Sequence, residues 1–173
     1  QIWLLRNKDL GYRKDLLVIY NIPYGSENNY LVIKDQIKSF TGVVSVSGAN
    51  YVPPGNQWWM TQMKDPVSGD SIMIEDIEAD YGLLETLGVT MIEGRTPSTE
   101  FGTDSMSVML NETALKQLQI KDPLDRYLYM GSKDTIVARR NIIGIFRDFH
   151  IRSLYEAIPP MAVYYNPSQV HQR

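Results

Sequence analysis

Four residues near the end of the chain have the types that acid–base chemistry uses: Arg147, Asp148, His150 and Arg152. A carboxylate that orients a histidine base would make Asp148 and His150 a hydrolytic pair. The sequence shows no nucleophile beside them, and on a strand Asp148, His150 and Arg152 would share one face. This pattern favours a polar edge or a domain junction, so we expect no enzyme activity. A hydrolase centred on His150 stays open as an alternative.

A second group of reactive side chains consists of Glu75, Asp76, Glu78 and Asp80. Carboxylate oxygens this close together could bind a hard cation such as calcium, although their spacing is not that of an EF-hand loop. Strand alternation places Asp76, Glu78 and Asp80 on one face and Glu75 on the other. We favour a solvated strand face followed by a helix cap at Asp80, and the calcium site remains the alternative.

Two adjacent tryptophans, Trp58 and Trp59, follow the loop formed by Pro53 and Pro54. Neighbouring residues on a strand point to opposite faces, so one tryptophan can pack inward while the other is exposed. The favoured interpretation is that both close a small core beneath a hairpin. The alternative is that Trp58 and Trp59 form a candidate contact for a protein partner.

Composition excludes several other kinds of site. The chain has no cysteine and two histidines, His150 and His171, which excludes thiol chemistry, disulfides and a histidine-rich metal site. No phosphate-binding loop, dinucleotide motif or Gly-x-Ser-x-Gly elbow occurs. The net charge of −3 and the lack of a lysine or arginine cluster argue against a nucleic-acid partner. We therefore expect no cofactor, no metal and no catalytic residue.

The first third of the chain predicts a β-α-β unit. The β-branched run at 16–21 is typical of a buried strand, although it is far shorter than the ~20 residues of a membrane-spanning helix. Apolar residues at helical spacing from Tyr30 to Phe40 predict a helix that ends at Gly42. Alternation over 44–48 then predicts a half-buried strand.

The rest of the chain predicts short strands mixed with small helices. Turn residues at 66–70 indicate a hairpin, Gly88 ends a short helix that carries Leu83 and Leu87, and Asn111 caps another. Further strands are expected at 89–93, 108–110, 127–130, 135–146 and 161–165. Because helices and strands are mixed without a regular βαβ repeat, the predicted fold class is α+β.

Several segments match a family pattern in their order along the chain. They are NKDLGY (7–12) with LLVIYN (16–21), VVSVSGANYVPPG (43–55), DYGLLETLGVTMIEGR (80–95), VMLNETALKQLQIKDPLDR (108–126) and IIGIFRDFHIRSLYEAIPPM (142–161). Together they resemble the extracytoplasmic (periplasmic core) domain of MacB/FtsX-type ABC transporter permeases, especially those of Bacteroidetes. Each segment is a weak signal alone, and their order and spacing give the resemblance its specificity.

The resemblance implies two lobes. Residues 1–55 and 147–173 would form a membrane-near, porter-like β-α-β lobe, and residues 56–146 an inserted β-rich lobe with a small helix. Asp148, Phe149 and His150 would lie at the junction of the lobes, with Phe149 more buried than its two neighbours. Because the chain begins with Gln1 and ends at Arg173, we expect a piece of a longer protein whose membrane-near lobe is truncated at its C-terminus.

The resemblance also implies a function. The chain would be a non-catalytic domain that couples ATP-driven transmembrane motion to substrate export or to regulation of a partner. Its parent would be a dimeric protein of the inner (cytoplasmic) membrane, with this domain on the periplasmic side. The implied partners are a cytoplasmic ABC ATPase subunit and a periplasmic adaptor or cell-envelope protein. The alternative is an extracytoplasmic ligand-binding or sensor module, which an apolar pocket with converging polar groups would favour.

Overall fold

The computed structural model describes residues 9–23, 29–53, 59–132 and 135–166. Within these residues the fold consists of seven strands and three short α-helices. The strands are β1 (Trp59–Lys64), β2 (Ser71–Ala79), β3 (Met91–Gly94), β4 (Ser107–Asn111), β5 (Tyr127–Ser132), β6 (Thr135–Phe146) and β7 (Met161–Tyr165). The helices are α1 (Tyr30–Lys38), α2 (Leu83–Leu87) and α3 (Glu112–Gln117), and single 3₁₀ turns occupy Lys14–Leu16 and Asp104–Met106.

The seven strands form one mixed sheet in the order β3-β6-β4-β7-β2-β1-β5. Because β5 also pairs with β6, six of the strands close into a barrel-like ring, and β3 extends the sheet from β6. The length of β6 makes this closure possible. Its first half pairs with β5, while its second half pairs with β4 and β3. The pairs β2–β7 and β4–β6 are parallel, and the other pairs are antiparallel.

One hydrophobic core fills the interior of the ring. Its strand residues are Met63, Ile74, Val108, Leu110, Leu128, Ile142, Ile145, Ala162 and Tyr164, all of them buried. Ala114 and Leu118 of α3 belong to the same core, so this helix covers one end of the ring. Alternate residues of most ring strands therefore face inward, as the two-residue period of a strand requires, and a register shift in β6 places Ile142 and Ile145 on the same side.

A second core covers part of the outer face of the sheet. Leu83, Leu84 and Leu87 of α2 pack on residues of β2, β4, β6 and β7, together with Tyr51, Phe149 and Ile151 from the loops. Residues of β1, β5 and the first half of β6 take no part in this second core. Among the described residues, one half of the outer sheet surface is thus covered and the other half is open.

Asn111 joins three elements at the closed end of the ring. Its side-chain oxygen accepts hydrogen bonds from Ala114 N at 2.9 Å and from Met161 N at 2.8 Å, and its amide donates to Pro159 O at 2.9 Å. The first bond is the helix cap that the sequence predicts. The other two fix the start of β7 beside α3.

The predicted β-α-β start is not confirmed, because its helix is present but neither of the two expected strands forms in the described residues. Residues 17–20 and 43–48 make no strand ladder within the described part of the chain, and Ala49 forms a single bridge with Ala79. Their apolar side chains are largely exposed, with Leu16 at 85%, Val18 at 90% and Val44 at 94%. A β-branched run favours extended backbone, but burial also requires a neighbouring strand.

The α+β class is confirmed, whereas two separate lobes are not seen. Strand β7 belongs to the segment 147–173, yet it lies between β4 and β2 in the middle of the sheet. The lobe boundaries at 55/56 and 146/147 therefore stay a prediction. The apolar residues Ile2, Leu4 and Leu5 also predict a short helix that ends near Gly11, and this segment falls mainly outside the described residues. None of the described helices has both the length and the apolar character needed to cross a membrane.

Candidate interaction site

The segment after β6 is irregular rather than a strand, and Phe149 anchors it. Phe149 is fully buried, and its ring packs edge-on to Tyr12 at 6.3 Å and against Phe146 at 5.9 Å between centroids. Asp148 and His150 are half-buried. The predicted order of burial is therefore confirmed, with Phe149 deeper than its two neighbours.

The Asp148 carboxylate binds the start of α3. It accepts hydrogen bonds from Thr113 N at 3.1 Å and from Thr113 Oγ1 at 2.8 Å. The backbone N–H of Asp148 donates in turn to Glu112 Oε2 at 3.1 Å. A catalytic pair would direct this carboxylate at His150, but these contacts direct it at a helix N-terminus. The arrangement supports the structural interpretation of Asp148.

The N-terminal segment 10–13 crosses over this region, and we call it the strap. His150 N donates to Leu10 O at 2.8 Å, and Arg13 N donates to Leu87 O at 2.8 Å. Gly11 has φ +80°, and a Cβ there would lie 2.8 Å from both Asp148 O and Phe149 Cβ. Only glycine combines that backbone conformation with such a close approach.

Two further contacts fix the end of the segment. The hydroxyl of Tyr51 donates to Ile151 O at 2.9 Å within the second core. Arg152 forms an ion pair with the buried Glu75 of β2 and lies 3.6 Å from Glu156. The segment 148–152 thus connects the strap, the loop at Tyr51, helix α3 and strand β2.

The acidic residues of β2 do not form the solvated strand face that the sequence favours. Glu75 is only 2% exposed and is paired with Arg152. Asp76 and Glu78 face the ring interior, where a carboxylate oxygen of each lies 3.0 Å from the hydroxyl of Tyr164, which donates its single proton to one of them. Burial, together with these two carboxylates, raises the pKa of Tyr164 well above its usual range, so the phenol remains a neutral donor.

Asp80 does not cap α2, because the cap position is Gly82 with φ +79°. Its carboxylate instead receives hydrogen bonds from Tyr30 Oη at 2.8 Å and from Lys34 Nζ. Burial and the bond to Asp80 raise the pKa of Tyr30, which keeps its hydroxyl protonated. Tyr30 and Lys34 lie one helical turn apart on α1, and that spacing is the only sequence signal for this contact.

A cation site is not assembled from these carboxylates. In the described ranges, no three histidine, aspartate or glutamate side chains are grouped so that they could hold a metal ion. Asp76 and Glu78 both face the hydroxyl of Tyr164. Glu75 forms an ion pair with Arg152, and Asp80 forms one with Lys34. Arg152 and Lys34 therefore balance the charge of two of the four carboxylates.

Trp59 begins β1 and is 56% exposed, so the favoured interpretation of a closed core is wrong for this residue. It lies opposite Asp76 in the β1–β2 register. Trp58 lies outside the described residues. The exposed indole at the end of the strand remains a candidate partner contact.

A shallow cleft lies beside α2. Its volume is about 230 Å³, part of it open to solvent, and its lining combines apolar residues such as Leu83, Leu84 and Val163 with Asp80 and Glu85. Ligand pockets usually enclose about 300–1,000 Å³, so this cleft is small and open for a ligand site. The cleft therefore gives little support to the alternative of a ligand-binding module.

No protein-family model matches the sequence, and no curated protein matches it. Solved structures do match. The extracellular domain of the noncanonic ABC-type transporter YknZ from Gram-positive bacteria is 13% identical, with a TM-score of 0.53 over 76% of this chain and 59% of that chain. The periplasmic region of MacB from Actinobacillus actinomycetemcomitans is 10% identical, with a TM-score of 0.52 over 82% and 69%.

The chain has the fold of these extracytoplasmic permease domains. A third similar structure is a domain described as part of a permease protein from Porphyromonas gingivalis, with 15% identity and a TM-score of 0.55 over 80% of this chain and 59% of that one. At the level of the fold, this likeness confirms the resemblance to MacB-type domains that the ordered sequence segments predict. The chain spans about three fifths of the YknZ and P. gingivalis domains.

Proposed function

We propose that the chain is a non-catalytic extracytoplasmic domain of an ABC transporter permease. In this role it couples ATP-driven motion of transmembrane helices to substrate export, or to regulation of a partner outside the membrane. The observation that carries the proposal is the fold shared with the extracytoplasmic domains of YknZ and MacB. The order of the sequence segments from residue 7 to residue 161 supports the same role.

The construction of the domain suits a rigid body that relays motion. The ring has a packed interior, and half of its outer face is covered by the second core. The strap and Asp80 tie the N-terminal segment and α1 to this body. Close-packed cores transmit displacement rather than absorbing it.

The proposal includes the surroundings of the domain. An ABC ATPase subunit acts on the parent protein from the cytoplasm, and the parent is a dimer embedded in the inner membrane. The segments 1–55 and 147–173 lie toward the membrane, with Asp148, Phe149 and His150 at the junction with the inserted part. Trp58 and Trp59 contact a periplasmic adaptor or another cell-envelope protein.

The first test is to read the sequence of the full parent protein and its neighbouring genes. We expect hydrophobic spans of about 20 residues on both sides of this chain, together with a gene for an ABC ATPase nearby. A parent without such spans would refute the proposal.

The second test follows motion directly in the full permease with its ATPase. Because the chain has no cysteine, Ser68→Cys and Ser105→Cys give two defined spin-label sites in this domain. We expect the distance between these labels to stay constant when the ATPase is trapped with ATP and vanadate. The distance between Ser68→Cys labels on the two copies should change, and a domain that deforms internally would contradict the rigid-body role.

A further inference from the structure

One half of the outer sheet surface is uncovered within the described part of the chain. It is formed by β1, β5 and the first half of β6, and we call it the open face. Its outward-facing residues include Met60, Gln62, Lys64, Tyr127, Tyr129 and Arg139. The strand register aligns Ser71, Lys64, Tyr129 and Arg139 in one row across four strands.

The side chains of the open face resemble those of protein interfaces. The guanidinium of Arg139 lies 3.8 Å from the centroid of the Tyr127 ring, and the rings of Tyr127 and Tyr129 meet edge to face at 5.5 Å. A hydrogen bond with Tyr127 raises the pKa of Tyr129, so this hydroxyl is neutral at physiological pH. Tyrosine, methionine and arginine are the residue types enriched in protein–protein interfaces.

The open face is basic although the chain as a whole is acidic. Lys64 and Arg139 are exposed, and the described outward positions of β1, β5 and early β6 carry no carboxylate. Glu75, which lies opposite Met60, is buried and paired with Arg152. Stacking on Tyr127 leaves the N–H edge of Arg139 available for a carboxylate.

We propose that the open face binds an acidic segment of another protein. Carboxylates of the partner lie opposite Lys64 and Arg139, and its apolar side chains pack on Tyr127, Tyr129 and Met60. This inference deepens the proposed function and rests on it for the compartment, since the partner then belongs to the cell envelope.

Charge argues against two other occupants. A symmetric contact between two copies would bring Lys64 and Arg139 against the same cations of the second copy, and like charges in an interface are unfavourable. Anionic membranes are usually recognised by clusters of about four to eight lysines and arginines. Two cations set among tyrosines are too few for a membrane surface and sufficient for a protein segment.

The test uses a short peptide of alternating glutamate and leucine as the probe, with alternating lysine and leucine as its counterpart. We expect the glutamate peptide to shift amide NMR signals of β1, β5 and β6, and its dissociation constant to rise with salt. The double variant Lys64→Gln/Arg139→Gln should weaken binding about fivefold or more. Lys116→Gln/Lys121→Gln removes the same charge at exposed sites elsewhere and should leave binding unchanged.

The variant Tyr129→Ser is a second probe of the same surface and should also weaken the peptide. Circular dichroism and thermal melting establish that each variant is folded. Equal binding of the lysine peptide, or signal shifts away from the open face, would overturn the proposal. The proposal is also overturned if Lys64→Gln/Arg139→Gln leaves peptide binding unchanged but abolishes binding to phosphatidylglycerol vesicles or self-association. These outcomes do not depend on flanking membrane spans, so this proposal and the permease role can fail separately.

Discussion

The hydroxyl of Tyr30 donates a hydrogen bond of 2.8 Å to Asp80, the residue that directly follows β2. Lys34 binds the same carboxylate from the next turn of α1. The outer surface of this helix is apolar and exposed at Leu31 and Val32, so apolar burial alone holds it weakly. Asp80 is therefore a main attachment of α1 to the sheet. In the proposed function, that attachment transmits displacement between the helix and the ring.

Replacing Tyr30 with phenylalanine should loosen α1. The change removes one hydrogen bond to a charged acceptor in a half-buried site, so we expect the free energy of unfolding to fall by about 1.5–3 kcal/mol. Urea unfolding measures the loss, and hydrogen exchange should become faster in α1 than in β2. Tyr155→Phe is the matched control, because Tyr155 is 81% exposed. If both variants lose equal stability, the bond to Asp80 is not what holds the helix.

The ion pair between Arg95 and Asp104 should make stability sensitive to acid. Arg95 donates two bonds to the buried Asp104, at 2.6 Å and 2.8 Å, and Ser98 N adds a third at 2.8 Å. The bonds from Arg95 hold the pKa of Asp104 below its usual value of 3.8. Because the folded-state pKa is depressed, the stabilisation is present above pH 3.8 and is lost as the pH falls through the lower folded value.

Urea unfolding between pH 7 and pH 3 tests the contribution of Asp104. Asp104→Asn should lower the free energy of unfolding at pH 7 by about 2 kcal/mol, since Arg95 is partly exposed and retains some hydration. The variant should also lose less stability than the wild type on acidification. Asp122→Asn, at an exposed site, should change neither quantity. A pH profile of Asp104→Asn that parallels the wild type would contradict this role.

Local signals in the sequence account for the elements that could be predicted. Residues Trp59–Lys64 and Ser71–Ala79 alternate around a turn that Asp65 closes with its own side chain, so the hairpin depends on contacts within a few positions. The same holds for the end of α2 at Gly88, where φ is +71°, and for the cap at Asn111. The burial of Phe149 was predictable because Phe149 is the only apolar residue among Asp148, Phe149 and His150.

Long-range pairing explains what the sequence could not reveal. The hydroxyl of Tyr164 reaches Asp76 and Glu78 across separations of 88 and 86 residues, and no local pattern encodes that contact. Closure of the ring depends on β6 changing partners midway, which the alternation in 135–146 does not predict. The largely exposed run 16–20 illustrates the converse case, in which strong β-propensity is present without a neighbouring strand in the described chain.

Substituting alanine for Gly11 should detach the strap. Alanine would have to adopt φ +80° and place its Cβ against Asp148 O and Phe149, so the native contact cannot form without movement. We expect a loss of about 1–3 kcal/mol and faster hydrogen exchange at the amide of His150. Gly102→Ala is the control, because Gly102 has no positive φ and no neighbour within 4 Å of a Cβ. An unchanged exchange rate at His150 would mean that the strap tolerates the side chain.

Replacing Asn111 with alanine should be the most damaging of these changes. The side chain is fully buried, and it supplies the cap of α3 as well as the two bonds that fix β7. Loss of a cap costs about 0.5–2 kcal/mol, and each buried partner left unsatisfied costs about 1–3 kcal/mol more. We therefore expect the free energy of unfolding to fall by about 3–5 kcal/mol.

Thermal melting and urea unfolding measure the effect of Asn111→Ala, with the exposed Asn141→Ala as the control. Asn111→Asp keeps the two accepted bonds, because a carboxylate still accepts from Ala114 N and Met161 N, but it cannot donate to Pro159 O and buries a charge beside that carbonyl. It should therefore retain most of the cap and lose stability at the approach to β7. If Asn111→Asp were as unstable as Asn111→Ala, the buried carboxylate beside Pro159 O would outweigh the retained cap.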